Sequence, residues 1–300
     1  MNKPPHSDPK PSGYVGLVPY ELRPKGALSA LKLADLDWPL GAPLTGTTVG
    51  DLTANDHILV HPNTSLHVRR WGSLKAKVSL LIAEPDSIHR KHLTLLRFSH
   101  RRFHRILTRS PIALNRFKNA RLFVTGATFL EHSDRTAPAK TVNASLIASG
   151  KTDHEGHRLR HALVDKIRAV QSDVQVMGRG YAPFDRKEDG LAPFRYSVVI
   201  ENTQEPSYFT EKIIDCCLCH TIPIYWGAPD IKRWFAPEGV MICNTLEDLQ
   251  DALAQADASD YETRHAAILQ NYDLALTYAQ TGMRAAHLLL NDRAETPPFP

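Results

Sequence analysis

The chain has 300 residues, 42% of them hydrophobic and 23% charged, enough for one large or two medium domains with ordinary hydrophobic cores. A formal charge of +4 is too small to mark a polybasic nucleic-acid binder by its total. No run approaches the roughly 18 to 20 apolar residues of a membrane span, and the opening MNKPPHSDPKPSGY lacks the apolar core of a secretory signal. A cytoplasmic protein is expected, at most peripheral at the inner membrane face.

Residues 1–13, rich in Pro and polar side chains, are expected to be disordered. A short helical patch follows between Ala27 and Leu33. HILVHP (57–62) and KVSLLIAEP (77–85) hold apolar runs that stop at Pro, as buried strands do. RFHRILT and ARLFVTG add two more strands, the second closed by Gly126. The local source of the positive charge precedes the first of these and runs through it. From His89 to Arg109 there are seven Lys/Arg (Arg90, Lys91, Arg97, Arg101, Arg102, Arg105, Arg109), four His and no acid, which leaves 29 basic against 32 acidic residues elsewhere.

EHSDRTAPAK (131–140) has the polar, Pro-containing composition of an interdomain linker. Strict alternation begins beyond it. VNASLIAS is a strand, GHRLRHALVDKIRAV a helix with Leu159, Leu163, Ile167 and Val170 on one face, and DVQVMG a strand ending in Gly. YSVVIEN, TIPIYWG and VMIC continue as strands, separated by the helices TEKIIDCCLCH and APDIKRWF and followed by TLEDLQDAL. The stretch from Tyr261 to about Asn291 has helical periodicity. Strand and helix alternating in this way imply parallel sheets that bind ligands beyond their carboxyl ends. The expected fold is α/β, two Rossmann-like domains facing a cleft.

The segment 196–229 carries the chemistry. A buried strand delivers Glu201 and Asn202, a loop with Pro206 and Tyr208 follows, and Thr210 is placed to cap a helix whose first turn holds Glu211 and Lys212. Free amides and the helix dipole favour an anion there. Lys212 adds a full positive charge, and Glu211 can accept hydrogen bonds from sugar hydroxyls. This suits a nucleotide diphosphate with its ribose.

FRYSVVIENTQEPSYFTEKIIDCCLCHTIPIYWGAP (194–229) resembles the donor-binding signature of the α1,3/α1,4-fucosyltransferases, glycosyltransferase family 10, and particularly E-N-T-Q, T-E-K-I-I-D and H-T-I-P-I-Y-W-G of its bacterial members. Ile200 stands where that family usually has Phe. SLIASGK, RHALVDKI and DVQVMGRG extend the likeness backward more weakly, with Gly150 replacing a usual Asn, and the first 75 residues share little of it. The resemblance implies a GT-B architecture and an inverting, metal-independent transfer of fucose from GDP-fucose to an acceptor glycan, with an α1,3-type linkage and no cofactor. By position it implies that Arg160 and Lys212 hold the diphosphate, that Asn202, Tyr208 and Glu211 contact nucleotide or fucose, and that Ser149 lies near the phosphates. Taken with the linker and the terminal periodicity, the expected organisation is a tail (1–13), an acceptor-side domain (14–138), a donor domain (139–275) and a carboxyl-terminal helix and tail (276–300), the helix packing back on the amino-terminal domain.

Inversion needs a base, and Glu84, at the carboxyl end of a buried strand and just before Pro85, is the first choice. Asp86 and Glu131 are fallbacks. Residues 89–109 would then meet an anionic acceptor such as lipopolysaccharide, or the membrane surface, and no nucleic acid. Other signals are weaker. Asp35-Leu36-Asp37 matches the metal-binding D-x-D of GT-A enzymes but precedes any convincing strand. Cys216, Cys217, Cys219 and His220 offer a poor zinc site, because zinc normally takes C-x(2–4)-C pairs on turns, whereas these fall in an apolar helix and read as small buried hydrophobes. A catalytically silent glycan-binding relative, or a transferase using another nucleotide sugar, is the alternative function.

Overall fold

The computed structural model describes residues 13–22, 26–131, 136–170 and 172–300, so nearly all of the expected disordered tail and part of the expected linker lie outside the described residues. The chain forms two compact units, one of residues 1–123 with 282–295 and one of residues 124–281 with 296–300. Each unit is built on a five-stranded, wholly parallel sheet.

The first unit runs β1 (Val15–Leu17), β2 (His57–Val60), α1 (Thr64–Val68), β3 (Lys77–Ile82), α2 (Asp86–Ser99), β4 (Ile106–Thr108), α3 (Pro111–Arg116) and β5 (Ala120–Leu122). Its strands lie side by side in chain order. Right-handed crossovers that always step the same way place every connecting segment on one face of the sheet. The opposite face needs a cover from elsewhere, and α9 (Thr281–Asn291) supplies it. Ile58, Val60, Val78, Leu80, Ile82 and Ile106 point toward Leu66, Leu93, Leu96 and Ala113 of the crossover side. The alternate residues Leu59, Leu81 and Leu107 pack against Ala285, Ala286, Leu288 and Leu289 of α9. Burial on both faces is why these strands read as continuous apolar runs instead of alternating ones.

Among the described residues of this unit, three imidazoles are buried. Burial, followed by the nearby Lys77, drives His57 down to about 4; burial and the neighbouring His92 do the same to His67 and His89. A histidine whose folded pKa is depressed stabilises the fold fully above its unfolded value near 6.5, and that contribution is lost as pH falls toward 4. Each site is worth on the order of 3 kcal/mol across that window. We expect the urea midpoint of unfolding to drop steeply between pH 6.5 and 4.5, and the variant His57→Gln/His67→Asn/His89→Gln to flatten the profile. Parallel profiles for the two proteins would contradict this.

The second unit comprises β6 (Val142–Ile147), α4 (Glu155–Ala169), β7 (Gln175–Met177), β8 (Phe194–Ile200), α5 (Glu211–Leu218), β9 (Ile222–Trp226), β10 (Met241–Ile242), α6 (Leu246–Gln255), α7 (Ala258–Thr263) and α8 (His265–Ala279). Its strand order is β10-β9-β8-β6-β7, so the direction of winding reverses between β6 and β8. Such a switch point opens a crevice at the carboxyl ends of the two strands, where ligands of doubly wound sheets bind.

Several sequence expectations shift in detail. APDIKRWF forms only a 3-10 turn, Ile231–Arg233, and the patch at Ala27 forms two, Leu28–Ala30 and Leu33–Asp35. α4 buries Leu163 and Ile167, but Val170 is its C-cap and stands 72% exposed. The long helical stretch from Tyr261 breaks at Arg264 and at Gln280, whose backbone angles leave the helical region. Among the described residues no helix is long and apolar enough to cross a membrane.

Candidate active site

At the end of β8 the chain places Glu201, fully buried, with its amide donating to the Trp226 carbonyl of β9. A buried carboxylate needs donors, and three meet it. The Thr210 amide (2.8 Å) and hydroxyl (2.8 and 3.0 Å) donate to it, as does Lys212 Nζ at 3.2 Å. Glu201 thereby ties the last residues of β8 to the cap and first turn of α5. Thr210 is the N-cap, its hydroxyl accepting from the Lys212 amide, and Lys212 Nζ also reaches Thr210 Oγ1 at 3.0 Å and Glu211 Oε1 at 3.4 Å.

The loop between β8 and α5 is held from outside. Ser207 adopts a positive φ of 56°, and Asp230 accepts from its amide (2.6 Å) and hydroxyl (2.7 Å), while Trp234 Nε1 donates to Ser207 Oγ at 3.1 Å. This anchoring buries Tyr208 and fixes where α5 starts.

Beyond the carboxyl ends of β6 and β8, at the switch point, lies a cavity of about 340 Å³, within the size range of small-molecule sites. Ser149 and Ala148 extend from β6, Ser197 to Ile200 come from β8, Arg160 from α4, and Glu211 and Lys212 from α5; the loop after β7 adds Gly178, Arg179, Phe184, Asp185 and Lys187. Four cations against two carboxylates leave the lining net positive. Two glycines permit this closeness. Gly178 has φ +110°, and a side chain on it would strike the Ala148 carbonyl; a side chain on Gly156, in the first turn of α4, would strike the Glu201 carbonyl.

The charges are poised as ions. Burial opposes the charge on Lys212, but Glu201 and Glu211 outweigh it and raise the ammonium pKa. Burial likewise works against ionised Glu211, yet Lys212 and Lys187 bring its carboxyl below the usual range. Burial lowers Arg160, against the pull of Glu201 and Glu211. Behind the lining, burial pushes Asp215 up to about 6, while Thr128 Oγ1 donates to it at 2.7 Å and Lys187 Nζ stands 3.9 Å away.

The structure thus brings Ser149, Arg160, Glu211 and Lys212 to one cavity. Asn202 and Tyr208 are adjacent to it without lining it. Asn202 Oδ1 accepts from Arg160 at 3.4 Å, and Arg160 Nε also donates to the Ile200 carbonyl at 3.2 Å, so the guanidinium spans the end of β8. Glu84 is exposed two residues past β3, in the other unit. Of the fallbacks, Asp86 opens α2 and accepts from Ser110 Oγ at 2.8 Å, and the Glu131 amide donates to Glu188 Oε1.

Sequence reasoning singled out neither Glu201 as a clamp nor Lys187, Arg179 and Phe184 as lining. Glu201 stood in the quoted motif, where a carboxylate directly after a buried strand is a readable signal; the loop residues carry no spacing pattern. Asp35 sits in a 3-10 turn and Asp37 in a bridge with Leu17. The cysteines are buried, and burial pushes Cys219 and Cys243 up to about 12. Among the described residues no group of three or more His, Cys, Asp or Glu is arranged to hold a metal ion.

No family model matches the chain. Over 127 residues it is 30% identical to the alpha-(1,3)-fucosyltransferase FucT of Helicobacter pylori, a stretch covering 40% of this chain and 25% of that protein. The match therefore spans about a quarter of the curated relative's length, and it supports the resemblance to glycosyltransferase family 10. Among solved structures, a mutant of S. aureus TarM, in complex with fondaparinux, alpha-GlcNAc-glycerol and UDP, aligns with TM-score 0.54 at 11% identity, over 79% of this chain and 55% of that one. That likeness supports the GT-B type of fold, in two parallel α/β units. An alpha1,3-fucosyltransferase solved with GDP-fucose aligns with TM-score 0.46 at 18% identity, over 74% of this chain and 77% of that chain.

Proposed function

We propose that this chain is a glycosyltransferase that moves fucose from GDP-fucose to a hydroxyl of an acceptor glycan such as a lipopolysaccharide oligosaccharide, with inversion and without a metal ion. The observation that carries the reading is the Glu201–Thr210–Lys212 clamp, which holds a cation and a capped helix start over a net-positive cavity at the switch point of the second sheet. The sequence match to an alpha-(1,3)-fucosyltransferase supports fucose as the sugar transferred.

As the bond from sugar to diphosphate breaks, negative charge grows on the leaving GDP. Lys212, Arg160 and the amides at the start of α5 stabilise that charge more than they stabilise the ground state, which is what lowers the barrier. Lys212 serves as a point charge and Arg160 offers a planar fork for phosphate oxygens. Glu211 accepts from sugar hydroxyls, Ser149 hydrogen-bonds phosphate, and Asn202 and Tyr208 fix the loop beside the nucleotide. Glu84 removes the proton from the attacking acceptor hydroxyl. In this scheme side-chain cations do the electrostatic work that a divalent metal does elsewhere.

Incubation with a panel of GDP- and UDP-sugars, followed by measurement of nucleotide release with and without acceptor oligosaccharides in the presence of EDTA, tests the donor, the acceptor requirement and the independence of metal; NMR of the product's anomeric centre tests inversion. GDP-fucose turnover that rises with acceptor and survives chelation is expected. Preference for a UDP-sugar would overturn the donor assignment, and glycan binding without release from any donor would show a silent relative.

A further inference from the structure

The basic run that is continuous in sequence is divided by the fold. Arg90 and Lys91 sit near the start of α2, Arg109 is buried just past β4, and Arg105 is paired with Asp292. Arg97, Arg101 and Arg102 instead lie at the other end of α2, level with the amino ends of β3, β4 and β5. There they meet basic residues that are remote in sequence. Arg102 donates to the carbonyls of Leu66 and Arg69 at the end of α1, and its guanidinium lies 4.8 Å above Trp71. This contact brings Arg69 and Arg70 beside it.

Two shallow basins flank the turn that carries Arg101. One, of about 530 Å³, is lined by Arg70, Lys77, Arg101 and Arg102; the other, of about 440 Å³, by Arg101, Arg116 and Lys118. Neither lining contains a carboxylate. Two apolar side chains stand out beside them, Phe98 at 88% exposure from the last turn of α2 and Val68 at 68% from the end of α1. Lys77 opens β3 and Glu84 follows its end, so this edge is roughly 20 Å of strand away from the proposed base. The cations are not placed to serve the reacting hydroxyl.

We propose that the amino edge of the first unit's sheet docks on a membrane surface rich in phosphate-bearing anionic lipids, the basins receiving headgroups and Phe98 and Val68 entering the interface. Clustered cations gain from the negative surface potential of such a leaflet, and protruding apolar groups add burial that a polyanion in water does not offer. A nucleic acid is disfavoured because Trp71 is already covered by Arg102 and Phe103 is buried, so Phe98 stands without a second open ring on which a neighbouring base would stack. The docking face is independent of the transferase reading, since every residue in it lies outside the donor cavity.

The full chain is to be sedimented with vesicles of phosphatidylcholine alone or mixed with phosphatidylglycerol. Binding only to the mixed vesicles is expected, falling at least about tenfold in Arg97→Glu/Arg101→Glu. Arg70→Glu/Lys118→Glu, one charge from each basin, is expected to act alike, and Phe98→Ser is expected to weaken binding severalfold. Unchanged thermal unfolding and GDP affinity in the variants show that docking alone was removed. Equal binding to neutral vesicles, indifference to both charge reversals, or tighter binding to a DNA duplex than to mixed vesicles would each overturn the proposal.

Discussion

Lys212→Ala is expected to lower kcat for transfer by roughly 10²- to 10³-fold, the usual cost of deleting a preorganised group aimed at developing charge. Its ammonium is the cation nearest the start of α5, 3.0 Å from Thr210 Oγ1 and 3.2 Å from Glu201 Oε2. Deleting it also strips the fully buried Glu201 of its hydrogen-bonded countercharge, leaving it the Thr210 donors and the more distant Arg160. Part of the loss therefore comes from α5 shifting at its cap. Two variants separate the effects. Lys212→Arg keeps the charge and should restore a fraction of kcat, whereas Glu201→Gln keeps Lys212 but loosens its position and should raise the KM for donor together with a fall in kcat. Steady-state kinetics with calorimetric GDP affinity would decide. A Lys212→Ala protein within tenfold of the parent in kcat would mean that the cavity cations do not carry the leaving charge.

Glu84→Gln is expected to cut turnover by about 10²- to 10⁴-fold, the range lost with a general base, while GDP affinity stays that of the parent. The two readouts come apart because every residue lining the proposed donor cavity belongs to the second unit, whereas Glu84 belongs to the first. Glu84 follows the carboxyl end of β3 in an exposed turn ahead of Pro85, and Pro85 is the residue from which α2 starts. Asp86 is less suited, since it already accepts from Ser110 Oγ. Asp86→Asn should accordingly retain most activity. Intact GDP binding with turnover within tenfold of the parent would remove Glu84 from the mechanism.

The legible parts of this protein were those with local causes. HILV and KVSLLI read as strands because both sheet faces are covered and no position has to be polar. β1, only Val15–Leu17, has too few residues to show a pattern, and it is a strand because β2 supplies its hydrogen bonds. The helical stretch beyond Tyr261 was visible as helix, but its breaks at Arg264 and Gln280 were not, since apolar spacing barely changes across them. Glu211 and Lys212 were legible because strand, loop, cap and first turn follow one another within a dozen residues. Arg160 was legible only through the family resemblance, arriving from about 40 residues upstream because Gly156 lets α4 close on the end of β8, and Lys187 reaches the same cavity from a loop with no periodic pattern.

The charge run makes the same division. By sequence alone, residues 89–109 are one patch; in the fold, α2 carries its two ends to opposite edges of a parallel sheet, and Arg69, Arg70, Lys77, Arg116 and Lys118 join only the amino edge. Alternation of buried strands and helices, caps and the strand–loop–capped-helix segment 196–212 are properties of short segments, set by hydrogen bonding and side-chain period, so the sequence by itself determined them. Which face α9 covers, which loop residues line the cavity and which cations share a surface depend on strand order and crossover direction. Those follow from packing segments far apart in the chain, and only the tertiary structure decided them.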